Sequence, residues 1–178
     1  MRSTTTDIRS HRASRVEIRP LTHADRDDLA EEFAHLSAET RRRRFGGESS
    51  RLSADDLDRL TNIDHHDHEA LAAIDPDTGQ IVGVARYIAL PEDPGAAEVA
   101  IEVNEDWQAR GIGRRLIGEL IDRAREEGIA RLVAYVSDDN HPVRGWIARS
   151  GGTVRAYDGD ATLSSIPIDQ LAQVRRAA

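Results

Sequence analysis

The sequence predicts one domain of the α/β class, with a mixed central β-sheet flanked by helices. Short segments of alternating apolar residues are typical of strands, and the first two such segments after the N-terminal helices predict a hairpin. A later strand–helix–strand crossover requires one parallel strand pair. The chain has 178 residues, of which 39% are apolar, enough for one core but few for two domains. We therefore expect antiparallel and parallel pairs in one sheet.

The first half of the chain predicts a disordered arm, a strand, two helices and a hairpin. Apolar residues recur at helical spacing after Thr22 and again after Ser53, so each of these capping residues should begin an amphipathic helix. The turn PDTG, residues 76–79, joins two runs of alternating apolar residues. Besides the two helices, the expected elements are the arm 1–14, a strand 16–21, and hairpin strands 69–75 and 80–90.

The second half of the chain predicts the crossover and the end of the sheet. The strand 97–103 leads through a helix, ending near residue 127, to a strand 131–136. The elements expected after it are a capped helix 140–150, short strands near 153–158 and 161–166, and a helical tail 169–178. The domain proper should span 15–168, and the tail could pack on it or on a second subunit of a homodimer.

Charge and residue types exclude several classes of function. The formal net charge of -8 disfavours a nucleic-acid partner and suits a cationic one. All 24 basic residues are arginine, which excludes a Walker-type P-loop and a Schiff-base mechanism because both need lysine. With no cysteine, no export-type leader and no run of about 18 apolar residues, we expect a cytoplasmic protein that does not enter a membrane.

The segment QARGIGRR, residues 108–115, predicts a phosphate-binding turn at the start of a helix. Gly111 and Gly113 let a ligand approach the backbone, and the N–H groups that open a helix have no intrahelical partners. Three arginines add positive charge here: Arg110, Arg114 and Arg115. Tight packing is an alternative reason for two glycines. A dinucleotide site would need a third glycine, where the chain has Leu116.

The same segment carries a family resemblance. QARGIG, Gln108 to Gly113, resembles the acyl-CoA pyrophosphate signature Q/R-x-x-G-x-G/A of the GCN5-related N-acetyltransferases (GNAT), and it lies between a strand and a helix as in that family. NHPVRGWIARSGG, 140–152, resembles the family's second segment. The stretches 18–45 and 52–74 are similar to the N-terminal part of bacterial protein lysine acetyltransferases of the Pat type. The resemblance covers residues 16 to 166 and implies the GNAT fold.

The resemblance implies an N-acetyltransferase that uses acetyl-CoA as its cosubstrate. A backbone N–H of the strand, at Ile101 or Val103, would polarise the thioester carbonyl, and Asn140 would contact the pantetheine arm. The residues implied to hold the pyrophosphate are Gln108, Ala109, Arg110, Gly111, Ile112, Gly113, Arg114 and Arg115.

The strand 97–103 carries two candidates for the catalytic base. A primary ammonium with a pKa of about 10.4 must lose a proton before it can attack, so a positioned base is valuable. The strand period of two places Glu98 and Glu102 on one face, and either could take the proton, or both could merely face solvent. The resemblance favours Glu98, because the base of the resembling enzymes lies ten positions before the first signature residue, here Gln108.

The sequence departs from the family at one catalytic position. Many members carry a Tyr four residues before the Gly of a Gly-Phe pair, as an acid for the thiolate leaving group. Here that position is Ile147, and Gly152 replaces the Phe. A thiol with a pKa of about 8.5 leaves as thiolate at a cost of about 2 kcal/mol, which water can relieve. Tyr135 and Tyr157 are the candidate substitutes.

Two other clusters are weaker candidates for binding. DHHDH, residues 64–68, has metal-capable side chains but neither helical spacing nor a distant third ligand, so we expect no metal site. RRRR, residues 41–44, could meet phosphates of CoA, a protein acceptor or nucleic acid, or could be a solvated helix end.

The acceptor of the acetyl group has three alternatives. The Pat-like N-terminal half and the acidic charge favour protein lysine side chains. The same core would serve a small amine such as a polyamine, an aminoglycoside or an amino acid. The missing Tyr favours instead a non-catalytic acyl-CoA-binding regulatory module, which the retained Glu98 opposes.

Overall fold

The computed structural model describes residues 15–45, 51–156 and 161–171. Its strands are β1 (Glu17–Pro20), β2 (His68–Ile74), β3 (Ile81–Ala89), β4 (Ala96–Val103), β5 (Arg131–Ser137), β6 (Thr153–Ala156) and β7 (Ala161–Pro167). Its helices are α1 (Arg26–His35), α2 (Ala38–Phe45), α3 (Ala54–Thr61), α4 (Ile112–Glu126) and α5 (His141–Arg149). The predicted arm 1–14 lies outside the described residues, as does the predicted tail beyond residue 171.

Seven strands form one sheet in the order β1-β2-β3-β4-β5-β7-β6. β1 pairs antiparallel with β2, and β7 lies antiparallel between β5 and β6. β4 and β5 are parallel and are joined by the crossover through α4. The predicted mixed sheet is therefore confirmed.

Capping residues set where α3 and α5 begin. The Ser53 hydroxyl accepts a hydrogen bond from the Asp56 N–H at 3.1 Å and starts α3, and the Asn140 side chain accepts from the Val143 N–H at 3.4 Å and starts α5. Thr22 leads first into a 3₁₀ turn, His23–Asp25, and only then into α1. The Asp25 carboxylate accepts the Thr22 N–H at 2.8 Å, which fixes this entry.

The hairpin turn follows the chemistry of its residues. Gly79 has φ of 77°, a left-handed conformation that glycine adopts without a Cβ penalty. The Asp75 N–H donates to the Gln80 carbonyl at 2.9 Å, and the Thr78 hydroxyl donates to the Asp75 carboxylate at 2.9 Å. These bonds close the turn between β2 and β3 where the sequence predicts it.

Two compact units make up the chain. The first comprises the described parts of Met1–His65, Ala70–Ala85 and Ile101–Ile117, and the second those of His66–Glu69, Arg86–Ala100 and Gly118–Ala178. The first unit has a core of apolar residues from β2, β3, α1 and α3, together with Leu21, which follows β1. Its members are Leu21, Leu29, Leu57, Ala70, Ala72, Ile74, Ile81 and Val84. Buried apolar residues of the second unit include Leu120, Ile121, Leu132, Val136, Ile147 and Ile166. The single domain 15–168 stays a prediction.

No helix in the described ranges is both long enough and apolar enough to cross a bilayer.

Candidate active site

The predicted phosphate-binding turn lies between β4 and α4, in the first unit. A 3₁₀ turn, Glu105–Trp107, follows β4, and the chain then enters α4 at Ile112. The Arg115 N–H donates to the Gly111 carbonyl at 3.1 Å. The N–H groups of residues 112–114 lie before this first hydrogen bond of the helix. N–H groups in this position of a helix can donate to a bound ligand.

Gly111 and Gly113 lie in different environments within the turn. Gly111 has φ of 81°, a backbone conformation that favours glycine, and no heavy atom lies within 4 Å of the position of an added Cβ. At Gly113 a Cβ would meet the Ile101 and Val103 side chains at 3.6 Å, an ordinary contact distance. Close packing of protein atoms therefore explains neither glycine.

Several polar side chains of the turn contact the protein itself. The Gln108 side-chain amide donates to the Val103 carbonyl at 2.9 Å and so ties the turn to β4. The Arg115 guanidinium donates to the Val16 carbonyl at 2.9 Å. The Arg110 guanidinium lies 5.0 Å from the centroid of the Trp107 ring, within range of a cation–π contact. Arg114, at the start of α4, is exposed.

Glu105 joins the turn to the start of α2, a contact that the sequence analysis missed. Its carboxylate accepts the Ser37 N–H at 3.1 Å and the Thr40 hydroxyl at 2.5 Å. Desolvation of Glu105 acts to raise its pKa, but the hydrogen bonds from Ser37 and Thr40 outweigh this and lower the pKa below its usual value. The contact spans more than 60 residues, so no local pattern could have signalled it.

The two candidate bases have different environments. Glu98 is exposed and is paired in register with Val133 of β5, in the second unit. Glu102 belongs to the first unit and is only 7% exposed, where β3 approaches so closely that a Cβ at Gly83 would lie 2.9 Å from the Glu102 carbonyl oxygen. The alternative that both glutamates face solvent is therefore wrong for Glu102.

Ile147 and Gly152, the positions that depart from the family pattern, pack against each other in the second unit. Ile147 is 1% exposed. A Cβ at Gly152 would lie 2.7 Å from Ile147 Cγ2 and 2.9 Å from Ile166 Cγ1. Ile147 therefore fills the space beside Gly152, and the two departures compensate each other sterically.

Tyr135 and Asn140 lie among the described residues. Tyr135 is 47% exposed on β5, whereas Tyr157 lies outside the described residues. The side chain of Asn140 caps α5, and its backbone lies at the start of that helix in the second unit.

The weaker candidate clusters have structural contacts. Within the described part of the chain, no three His, Cys, Asp or Glu side chains are grouped as a metal site. In the segment 64–68, the His66 imidazole contacts the Glu127 carboxylate. Arg41 donates to the Leu36 carbonyl and lies 6.0 Å from the centroid of the Phe33 ring. The side chains of Arg43 and Arg44 lie outside the described residues.

Solved structures place this fold in the acetyltransferase class. The GNAT domain of S. lividans PAT superimposes with a TM-score of 0.77 and 28% identity, over 85% of this chain and 90% of that one. A Salmonella typhimurium acetyltransferase structure, solved with acetyl-CoA, superimposes with a TM-score of 0.69 at 22% identity over 86% and 94% of the two chains, a likeness of fold.

Residues 30–151 match the model of the acetyltransferase (GNAT) family, so the chain belongs to that family. It is 35% identical to acetyltransferase PA5475 of Pseudomonas aeruginosa over 131 residues, 72% of this chain and 70% of that protein. It is 32% identical to acetyltransferase Pat of Mycolicibacterium smegmatis over 151 residues, 85% of this chain, and spans 45% of that protein. The predicted family, fold and N-acetyltransferase class are confirmed, and this membership supports acetyl-CoA as the cosubstrate.

Proposed function

We propose that this acetyltransferase transfers the acetyl group of acetyl-CoA directly to lysine side chains of proteins, in a ternary complex. The observation that carries the proposal is the joint likeness, in sequence and in fold, to the two Pat proteins. The acidic net charge of -8 supports it, because a lysine side chain is cationic before it reacts. Since the chain spans less than half of the M. smegmatis relative, the proposal concerns transfer alone and not its regulation.

Glu98 is the base in this proposal. An acceptor protein must bring its ammonium to the carboxylate, and the exposure of Glu98 permits this directly or through one water. Glu102, at 7% exposure, is far less accessible to a large acceptor. The difference in burial therefore supports Glu98 over Glu102.

The remaining residues have roles that follow from acyl transfer. The pyrophosphate lies against the N–H groups of residues 112–114, with Arg110 and Arg114 supplying charge. Arg115 positions α4 through the Val16 carbonyl. After the ammonium loses its proton to Glu98, the amine nitrogen attacks the thioester carbonyl, which a strand N–H at Ile101 or Val103 polarises.

The step ends with loss of CoA. The new C–N bond forms, and the nitrogen loses its second proton to water. The C–S bond breaks, and its electron pair leaves with sulfur as the CoA thiolate. Ile147 has no proton to donate, so in this proposal water protonates the thiolate. Asn140 contacts the pantetheine arm in this arrangement.

Thiol release from acetyl-CoA tests this proposal across three acceptor classes: lysine-bearing proteins, polyamines and aminoglycosides. We expect release with the lysine-bearing proteins, and a loss in kcat/KM of about a hundredfold or more in Glu98→Gln. Glu102→Gln is the matched control, from the same strand, and should lose much less. Release on small amines alone would contradict the lysine acceptor, and acetyl-CoA binding without release on any acceptor would indicate a regulatory module.

A further inference from the structure

One exposed aromatic side chain lies on the same sheet face as Glu98. Glu98 pairs in register with Val133 in the parallel β4–β5 pair, and Tyr135 lies two residues after Val133. Since side chains alternate between faces, Glu98, Val133 and Tyr135 share one face. Tyr135 is 47% exposed, whereas its strand neighbours Val133, on the same face, and Leu132 and Val136, on the opposite face, are 9%, 1% and 4% exposed.

The spacing of Glu98 and Tyr135 matches the length of a lysine side chain. One strand spacing across and two residues along separate their Cα atoms by about 8 Å. The four-carbon stem of lysine spans roughly 6 Å when extended, given carbon–carbon bonds of about 1.5 Å. An acceptor whose ammonium meets Glu98 can therefore lay its methylene groups along the Tyr135 ring.

The neighbouring strands extend this face in a defined order. Leu163 of β7 pairs with Tyr135 and is half-buried, and Arg155 of β6 pairs with Leu163 and is exposed. Apolar surface therefore continues from Tyr135 to Leu163, and the row ends in a positive charge. A cationic group is attracted to the Glu98 end and repelled from the Arg155 end, while an alkyl stem packs between them.

We propose that Tyr135 is a specificity-determining residue for the acceptor: its ring packs against the alkyl stem of lysine and directs the amine to Glu98. The inference rests on the proposed lysine acceptor. An aromatic ring serves this role through its apolar body and its electron-rich face, which attracts the ammonium. The phenolic hydroxyl takes no part, so Tyr135 does not replace the acid missing at Ile147.

Steady-state kinetics with a lysine-containing peptide test this role. In Tyr135→Ala, we expect KM for the peptide to rise about fivefold to tenfold, as loss of an aromatic contact predicts, while KM for acetyl-CoA stays unchanged. Tyr135→Phe should stay within about twofold of wild type, with the same pH profile, because only the hydroxyl is lost. Turnover of ethylamine, which lacks the long stem, should be the same in all three proteins.

Val154→Ala is the matched control. Val154 is 43% exposed and, by its pairing with Ser164 and that of Ser164 with Ala134, lies on the opposite face of the same strands. We expect no change in either KM.

If the wild type acetylates the lysine peptide, two results would overturn this inference and leave the proposed function standing. An unchanged peptide KM in Tyr135→Ala would show that the ring does not contact the stem. A loss in kcat in Tyr135→Phe as large as in Tyr135→Ala, with a shifted basic limb of the pH profile, would make Tyr135 an acid. A wild type that acetylates no lysine peptide would remove the proposed function and this inference with it.

Discussion

At the scale of single residues, environment separates side chains that look equivalent in sequence. Glu98 and Glu102 occupy equivalent positions in the strand period, yet one is exposed and the other is 7% exposed. Arg114 and Arg115 are both exposed, yet the Arg115 guanidinium also donates to the carbonyl of Val16, 99 residues away. Residue type and local period therefore predict the candidates for a role, and only the long-range contacts distinguish between them.

Asp25 gives a pH dependence of stability. Its carboxylate is bonded to the Arg19 guanidinium at 2.7 and 2.9 Å, and this contact, opposed by desolvation, lowers the pKa of Asp25 to about 2. A lowered pKa stabilises the fold above the ordinary carboxyl pKa, and the stabilisation is lost as pH falls towards 2. Because Arg19 is 37% exposed, we expect a contribution of about 1–2 kcal/mol.

Chemical denaturation between pH 7 and pH 2.5 measures this contribution. Asp25→Asn should be less stable than wild type at pH 7, and the difference should shrink as the pH falls below about 4. Asp122→Asn removes an exposed pair with Arg125 and should change stability by less than about 0.5 kcal/mol. A difference for Asp25→Asn that is constant from pH 7 to 2.5 would contradict the role of the Asp25 charge.

At the scale of elements, local sequence predicts the type of most helices and strands and the residues at which they begin and end. Ser53 and Asn140 cap the helices as predicted, and each bound of the two hairpin strands lies one residue from its predicted position. The 3₁₀ turn after Thr22 was not predicted, because the Asp25 carboxylate that bends the chain there is held by Arg19 of β1. The Glu105 contact with α2 was missed for the same reason, since it joins distant segments.

The packing of α5 against β6 and β7 predicts the effect of a substitution at Gly152. A Cβ there would lie 2.7 Å from Ile147 and 2.9 Å from Ile166, so Gly152→Ala should destabilise the protein by about 1–3 kcal/mol through overpacking. Gly113→Ala is the control in α4, where a Cβ finds 3.6 Å and alanine suits a helix.

Thermal unfolding of the two glycine variants compares these costs. The melting temperature of Gly152→Ala should fall by several degrees and that of Gly113→Ala should not fall. Equal melting temperatures for Gly152→Ala and wild type would show that α5 can shift away from the sheet without cost.

At the scale of the whole molecule, composition has a consequence for an enzyme that modifies lysine. All 24 basic residues are arginine, so the chain offers no lysine to its own reaction. Under the proposed function, intact-mass spectrometry after incubation with acetyl-CoA should show no acetyl group except on an α-amino group. Peptide mapping that found mostly hydroxyl adducts would contradict a selective amine acetyltransferase.

The most direct test of lysine transfer through Glu98 is the rate of Nε-acetyl-lysine formation on a lysine-bearing acceptor protein. Wild type and Glu98→Gln are compared at equal occupancy by acetyl-CoA, and peptide mapping locates the acetyl groups. We predict Nε-acetyl-lysine as the main product of the wild type, formed at least about a hundredfold more slowly by Glu98→Gln. Equal rates in the two proteins, or no acetyl-lysine from the wild type while it acetylates a small amine, would contradict this function.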